Sequence, residues 1–266
     1  MILVKRKPVS LIERLPLVRG RLDADEPLGR FTWFKVGGAA DALFRPADIE
    51  DLASFLSVCP ADIPITVMGN ASNMLVRDGG VRGVVVRLGV EFQDIRNADG
   101  CIRAGGGAAN LSIARVARDA GLGGLEFLAG IPGTIGGAVS MNSGAYGKEI
   151  KDVFISCSLV DRRGRLCEVP FPEIRFGYRR ASLADGKIVT AVVLRAKPDN
   201  PNTIQTRMND IQAARESSQP IRKLTGGSTF KNPPNASAWK LIEAAGCRGL
   251  KLGGAVVSNQ HCNFLV

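Results

Sequence analysis

The chain has 266 residues, 45% of them hydrophobic and 23% charged, and a formal net charge of +10. That length holds one large domain or two to three small ones around an ample core, with the composition of a globular protein. No apolar run approaches the ~18 residues of a membrane span, and six cysteines without a C-x-x-C pair beside a lone histidine, His261, argue against a zinc site.

Free thiols in a reducing cytoplasm are the default for Cys59, Cys101, Cys157, Cys167, Cys247 and Cys262. The basic residues are scattered, as in Lys5-Arg6-Lys7, Arg162-Arg163, Arg179-Arg180 and Arg222-Lys223, and only 6% of residues are aromatic. Without a Lys/Arg block or a nucleic-acid-binding signature, the charge points to small anionic ligands rather than nucleic acid or a membrane.

Residues 1–20 carry basic residues but no continuous apolar region and no small-residue cleavage site, so they read as a short amphipathic helix or tail rather than a signal peptide. From Thr32, TWFKVGGAADALFRPAD predicts a strand, a tight Gly37-Gly38 turn and a second strand ending at Arg45-Pro46. Ile49, Leu52, Ala53, Phe55 and Leu56 set a helical period over residues 47–58. A buried strand follows at 63–68, then GNASNMLVRDGG, then a strand at 84–88. This β-α-β order puts the Gly69–Asn73 turn at a strand's carboxyl end, where α/β folds hold ligands. Gly69 frees the backbone and Asn70, Ser72 and Asn73 add short polar groups, although Asx-rich turns are also a common purely structural device.

A second lobe begins near Val90. Strands at 93–98 and 102–104 flank Asp99-Gly100, a hairpin signal. Gly105-Gly106-Gly107 leads into a helix at 108–120 that Gly121 ends. The stretch Leu125–Gly147, LEFLAGIPGTIGGAVSMNSGAYG, has too many glycines for a helix interior or a central strand and too few charges for a solvated loop. Two readings fit it: an amide nest for a diphosphate, or tight packing of a strand against a helix. Hairpin strands at 153–160 and 166–169, the segment FGYRRAS at 176–182 and a buried strand at 187–197 follow. Pro198-Asp199-Asn200-Pro201-Asn202 reads as a linker. Beyond it come a polar helix at 203–217, the turn TGGSTFKNPPN, a helix at 237–245 stopped by Gly246, and the closing LKLGGAVVSNQHCNFLV.

Six stretches agree in order and spacing with one family: TWFKVGGAAD, MGNASNMLVRDGGVRGVVVRL, GLEFLAGIPGTIGGAVSMNSGAYG, FGYRRAS, GGSTFKNP and GGAVVSNQHCNF. From about Arg30 to its end the chain resembles the UDP-N-acetylenolpyruvoylglucosamine reductases (MurB), flavoenzymes of peptidoglycan precursor synthesis. The resemblance implies an α+β fold. A two-lobed FAD-binding domain of the vanillyl-alcohol oxidase/PCMH type precedes a smaller α/β substrate-binding domain. The expected division is a tail or helix at 1–20, an FAD-binding domain at 21–198 with lobes of about 21–89 and 90–198, and a substrate-binding domain at 199–266.

The family reaction moves hydride from NADPH to the flavin and then to the enolpyruvyl double bond of a UDP-sugar enolpyruvyl ether, leaving a carbanion beside the substrate carboxylate. That implies a fixed cation, matched by Arg179 in FGYRRAS, and a proton donor, matched by Ser228 in GGSTFKNP. Without the resemblance these residues would read as an ion-pair partner and a turn residue. Tyr178, Lys231 and Asn232 are implied substrate contacts by adjacency. The implied FAD contacts are Gly69, Asn70, Ala71, Ser72 and Asn73, then Gly130, Ile131, Pro132, Gly133 and Thr134, then Gly137, Ala138, Asn142 and Gly144. No metal is implied, and family precedent favours a monomer. Family members run on past the stretch like SNQHCNF, through a helix, to a segment with a catalytic glutamate. Here the sequence ends at Val266 within an apolar strand, and Glu243, in the helix at 237–245, does not replace that glutamate. The expectation is a truncated last domain, with FAD binding retained and substrate reduction weak or absent; the alternative function is therefore an impaired FAD-binding homologue. The short spacing from Ser182 to Lys187 matches the subclass that lacks an inserted substrate-covering loop.

Overall fold

The computed structural model describes residues 10–183 and 186–266. Residues 1–9 of the 1–20 segment, and the middle of the short Ser182-to-Lys187 spacing, lie outside the described residues. Helix α1 (Leu11–Arg14) is one turn, set by a capping box between Ser10 and Glu13. The first lobe then builds β1 (Arg21–Pro27), β2 (Ala39–Arg45), α2 (Ile49–Val58), β3 (Ile65–Val67) and β4 (Val81–Val86). Its sheet order is β1-β2-β4-β3, antiparallel between β1 and β2 and parallel elsewhere. Asp48 caps α2, whose Leu52, Phe55 and Leu56 pack with Phe44, Val84 and Val86.

The strand that pairs with β2 is therefore Arg21–Pro27, and the expected strand over TWFKV is a loop. Two physical causes separate them. Thr32 is fully buried and its hydroxyl donates to Val36 O at 2.9 Å, folding the segment on itself. Lys35 takes φ +57°, which no strand allows. Strand β1, RLDADEP, hides its identity because this edge strand is mostly charged and has no apolar alternation, with Arg21 and Asp25 exposed and Glu26 buried.

The second lobe contains β5 (Ile95–Ala98), β6 (Cys101–Gly105), α3 (Asn110–Asp119), β7 (Leu122–Gly123), α4 (Ile135–Ser140), β8 (Gly144–Ala145), β9 (Lys148–Glu149), β10 (Phe154–Val160), β11 (Leu166–Pro170), β12 (Phe176–Gly177), β13 (Arg180–Ala181), β14 (Ile188–Arg195) and β15 (Lys197–Pro198). Its main sheet is antiparallel, in the order β11-β10-β14-β6-β5. Helices α3 and α4 pack on it around Ile113, Leu125, Leu128, Ile135, Val139 and Leu194.

Helix α4 corrects the expectation that the glycine-rich stretch was too glycine-rich for a helix. A Cβ on Gly136 would sit 2.9 Å from Gly106 O and 3.4 Å from Val189 O. The missing side chain lets the helix lie against strand backbone, and that contact offsets the propensity loss of roughly 1 kcal/mol per glycine. The packing reading thus holds for Gly136.

The linker expected at 198–202 is ordered. Pro198 pairs with Leu122, Asp199 N donates to Gly121 O at 2.8 Å, and Asn200 caps α5 (Pro201–Ser218) with Pro201 at its first position. Ile204 and Met208 of α5 enter the core of the second lobe. Helix α6 (Ala238–Ala244) and the short pair β16 (Lys251–Leu252) and β17 (Ala255–Val256) complete the chain. Leu265 bridges Val257 and Phe264 bridges Ser228, so the last residues close the C-terminal segment onto the GGSTFKNP turn.

Candidate active site

Two glycine turns from different lobes meet. Ser72 Oγ donates to Pro132 O at 3.2 Å. A Cβ on Gly69 would fall 2.4 Å from Thr134 Oγ1, and one on Gly133, at φ +108°, would fall 2.7 Å from Ser72 Oγ. Met68 N is tied to Val86 O, which fixes where the first turn leaves its strand. The backbone N–H groups of residues 69–73, and of Gly133, Thr134 and Gly137, donate to no acceptor among the described residues. The result is a junction of two turns with open amides, crowded only by the small Ser72 and Thr134 side chains and suited to a diphosphate.

The other expected cofactor residues have structural work. Ile131 is buried; its N–H donates to Leu128 O, and its carbonyl accepts Asn110 Nδ2 at 3.2 Å. Ala138 is buried and donates to Thr134 O. Gly130 seats the Tyr146 ring, 2.8 Å from where a Cβ would stand, and Gly144 makes room for Glu149. Asn142, 2% exposed, directs Nδ2 at Glu149 Oε2 (3.0 Å) and Gly177 O (3.2 Å) while Oδ1 accepts from Lys151 N (3.1 Å). It thereby joins the end of the glycine-rich stretch to the β12–β13 hairpin.

That hairpin carries Tyr178 and Arg179 at its tip. Gly177 pairs with Arg180, and Arg179 takes φ +56° at the tip. The guanidinium lies over the Tyr178 ring at 5.9 Å. Tyr178 Oη accepts from Asn232 N at 3.1 Å, so the hairpin touches the KNP turn. Asn232 Oδ1 caps the turn before α6 by accepting from Ala238 N at 2.9 Å. Ser228 and Lys231 are exposed, and Lys231 makes no hydrogen bond or ion pair among the described residues. The Ser228 segment is pinned by Asn263: its carbonyl accepts from Thr229 N at 2.8 Å, and its amide exchanges bonds of 2.9 and 2.8 Å with the Phe230 backbone.

The circuit closes through the TWFK loop. Trp33 N donates to Ala71 O at 3.5 Å, and the Phe34 ring packs on Gly226. Turn 69–73, turn 130–134, Asn142, the Arg179 hairpin, Asn232, the Ser228 segment and Phe34 are thus linked end to end. Sequence reading missed Asn263 and Phe34, although both stand inside quoted motifs; short polar and aromatic residues there gave no pattern of their own. A cavity of about 550 Å³ lined by Gly124, Glu126, Tyr146 and Arg207 adjoins Gly130 through the Tyr146 ring. Burial pushes the Tyr146 phenol above its usual range and the neighbouring Arg215 guanidinium below its own. Among the described residues no group of three or more metal-ligating side chains gathers, and no helix is long and apolar enough to cross a membrane.

Two lobes with a shared set of open amides between them have the architecture of an FAD-binding domain, in agreement with a known family. A family model described as an FAD binding domain matches residues 40–170, and one described as the C-terminal domain of UDP-N-acetylenolpyruvoylglucosamine reductase matches residues 219–266. The fold is also that of 6-hydroxy-D-nicotine oxidase from Arthrobacter nicotinovorans, at TM-score 0.50 and 17% identity over 73% of this chain and 44% of that one. The chain belongs to the UDP-N-acetylenolpyruvoylglucosamine reductase family. It is 52% identical over 257 residues to the reductase of Parvibaculum lavamentivorans, covering 97% of this chain and 83% of the relative. To that of a Bradyrhizobium species it is 53% identical over 253 residues, covering 95% of this chain and 82% of the relative. The crystal structure of the enzyme from Thermus caldophilus superposes at TM-score 0.82 with 36% identity, over 94% of this chain and 88% of that one.

Proposed function

We propose that this chain reduces the enolpyruvyl double bond of UDP-N-acetylglucosamine enolpyruvate to give UDP-N-acetylmuramate, with NADPH as hydride source, in the cytoplasm and as a monomer. This step of peptidoglycan precursor synthesis serves wall growth, cell shape and division. The observation that carries the reading is the closed circuit of contacts that brings both glycine turns, the Arg179 hairpin and the Ser228 segment together. The junction of the two turns suits FAD because its amides are open and because glycine at 69 and 133 lets the turns close on each other, where a Cβ would meet Thr134 or Ser72. Gly69–Asn73, Gly133, Thr134 and Gly137 would hold the diphosphate through backbone N–H groups, and Gly130, Ile131, Pro132, Ala138, Asn142 and Gly144 would support the surrounding backbone.

Bound FAD supplies hydride transfer between NADPH and the enolpyruvyl carbon. The chain's own residues manage the charge that hydride addition creates. The Arg179 guanidinium holds the substrate carboxylate in a bidentate way and stabilises the negative charge developing beside it. Ser228 Oγ gives its proton to the carbanionic carbon; a hydroxyl is so weak an acid that only a base of that strength can take it. Tyr178, Lys231 and Asn232 orient the sugar diphosphate, with residues 219–266 as the substrate-binding part.

The test is anaerobic. NADPH should bleach the flavin absorbance of the purified protein, and the UDP-sugar enolpyruvyl ether alone among acceptors should restore it. Ser228→Ala should slow the second half-reaction only. A protein that binds no added FAD, or that is reoxidised equally by unrelated acceptors, overturns the proposal.

A further inference from the structure

We infer that Phe34 is a positioning residue for Ser228: a rigid loop of the first lobe props the proton donor's segment from below while being tied to the cofactor turn. The inference rests on Ser228 acting as the proton donor.

The loop from Leu28 to Gly38 is closed at its base by Leu28 N donating to Gly38 O at 3.2 Å. Inside it, Thr32 N donates to Leu28 O (3.2 Å), Lys35 N to Thr32 O (3.2 Å), and the buried Thr32 hydroxyl to Val36 O (2.9 Å). Gly38 N donates to Arg77 O at 3.0 Å, and Gly37 lies so close to Val76 that a Cβ would come within 2.6 Å of the valine Cβ. A loop braced this way holds a half-buried aromatic ring in one place.

What the ring meets is backbone. A Cβ on Gly226 would stand 2.5 Å from Phe34 Cε2 and 3.3 Å from two further ring atoms. Position 226 is glycine because the ring occupies the space of a side chain. Gly227 follows at φ +84°, a conformation glycine adopts without strain, and Ser228 comes next. On its other side the segment is fixed by the Ser228–Phe264 bridge and the Asn263 bonds. Ser228 is therefore placed between an aromatic prop and an amide clamp, two residues from each. The prop reaches the cofactor turn through the neighbouring Trp33 N–H on Ala71 O. Seating of the 69–73 turn and placement of the donor hydroxyl share one loop.

The experiment is a double-mutant cycle read in the separate half-reactions by stopped-flow flavin absorbance. Phe34→Ala should slow reoxidation by the UDP-sugar enolpyruvyl ether about tenfold, the scale on which sub-ångström misplacement acts. It should also enlarge the solvent deuterium isotope effect on that step, because protonation becomes slower than hydride delivery. Gly226→Ala should do the same, and Phe34→Leu should recover most of the rate. In the Ser228→Ala background Phe34→Ala should add almost nothing. Amide exchange should rise at residues 226–229 and not in β4. If Ser228→Ala slows reoxidation and Phe34→Ala does not, or the two effects multiply independently, the prop is refuted while the donor assignment stands. If Ser228→Ala itself leaves reoxidation unchanged, the donor assignment falls and this inference falls with it.

Discussion

Asn142→Ala tests whether that side chain serves the fold or the cofactor. Three hydrogen bonds are lost, to Glu149, Gly177 O and Lys151 N, at a site 2% exposed. Two neutral bonds at about 1 kcal/mol each and one to a carboxylate at about 1.5–3 kcal/mol set the scale. Glu149 keeps Lys151 Nζ at 2.8 Å and a 33% exposed side chain, so its share falls at the low end. The residue also sits at φ +41°, where asparagine is tolerated and alanine costs about 1 kcal/mol more. The total is about 4.5 kcal/mol, or a fall in Tm of roughly 10–15 °C for a chain of this size. Asn142→Gly should recover part of that loss because glycine tolerates the backbone. Thermal unfolding of both variants, with FAD affinity from flavin fluorescence quenching alongside, separates the cases. The hairpin reading expects a large Tm drop, near-normal FAD affinity and slowed reoxidation, since Gly177 stands beside Tyr178 and Arg179. A Tm within about 2 °C of the parent together with a tenfold weaker FAD Kd would refute it and make Asn142 a cofactor ligand.

Gly133→Ala forces a side chain into φ +108° and against Ser72 Oγ, so FAD binding measured by the same quenching should weaken by about tenfold or more while the secondary structure is kept. His261 is held below its usual pKa by burial, with Arg248 adding to the effect, and its Nδ1 accepts from Asn263 N at 3.2 Å. Its folded-state value being depressed, the stability it supports is present above about pH 6.5 and is lost as pH falls through the folded value. The protection factors of Asn263 and its neighbours, taken relative to intrinsic exchange at each pH, should therefore fall on acidification, and His261→Gln should flatten that dependence. Burial pushes the Cys157 thiol up to about 12, so alkylation with iodoacetamide at pH 8 followed by mass spectrometry should leave it unmodified in the native protein while the half-exposed Cys101, Cys167 and Cys247 react.

Much of this molecule is written in local periodicity. Helices α2 and α3 follow directly from it, because each buries one regular face, while β14 shows as an almost continuous apolar run and the β5–β6 hairpin through its Asp99-Gly100 turn. Both cofactor turns were legible because glycines and short polar residues leave a compositional mark, although only Gly133 among those glycines sits at φ > 0 and Ala71 takes that role in the first turn. Strand β1 was not, since an edge strand bears charges on both faces and owes its existence to the register Arg21 to Arg45. Helix α4 was hidden for the opposite reason: Gly136 contradicts helix propensity, and only the nearness of Gly106 O explains it. Residues such as Asn263 and Phe34 act across more than thirty residues of sequence, where no local pattern can point to the partner.

Helix α5 gives the join between the FAD-binding lobes and the C-terminal segment a mechanical character. Its N-terminal half is anchored by Ile204 and Met208, and Arg207 grips the buried Glu126 through bonds of 2.9 and 2.6 Å. At the far end Gln260 Nε2 covers the open carbonyls of Glu216 and Ser217 at 3.0 and 3.2 Å. The helix is thus a crank with both ends keyed. One residue added to its exposed middle would turn the far end by about 100° and advance it by about 1.5 Å. Helix length, a quantity no catalytic motif contains, is in this way a dimension of the active site.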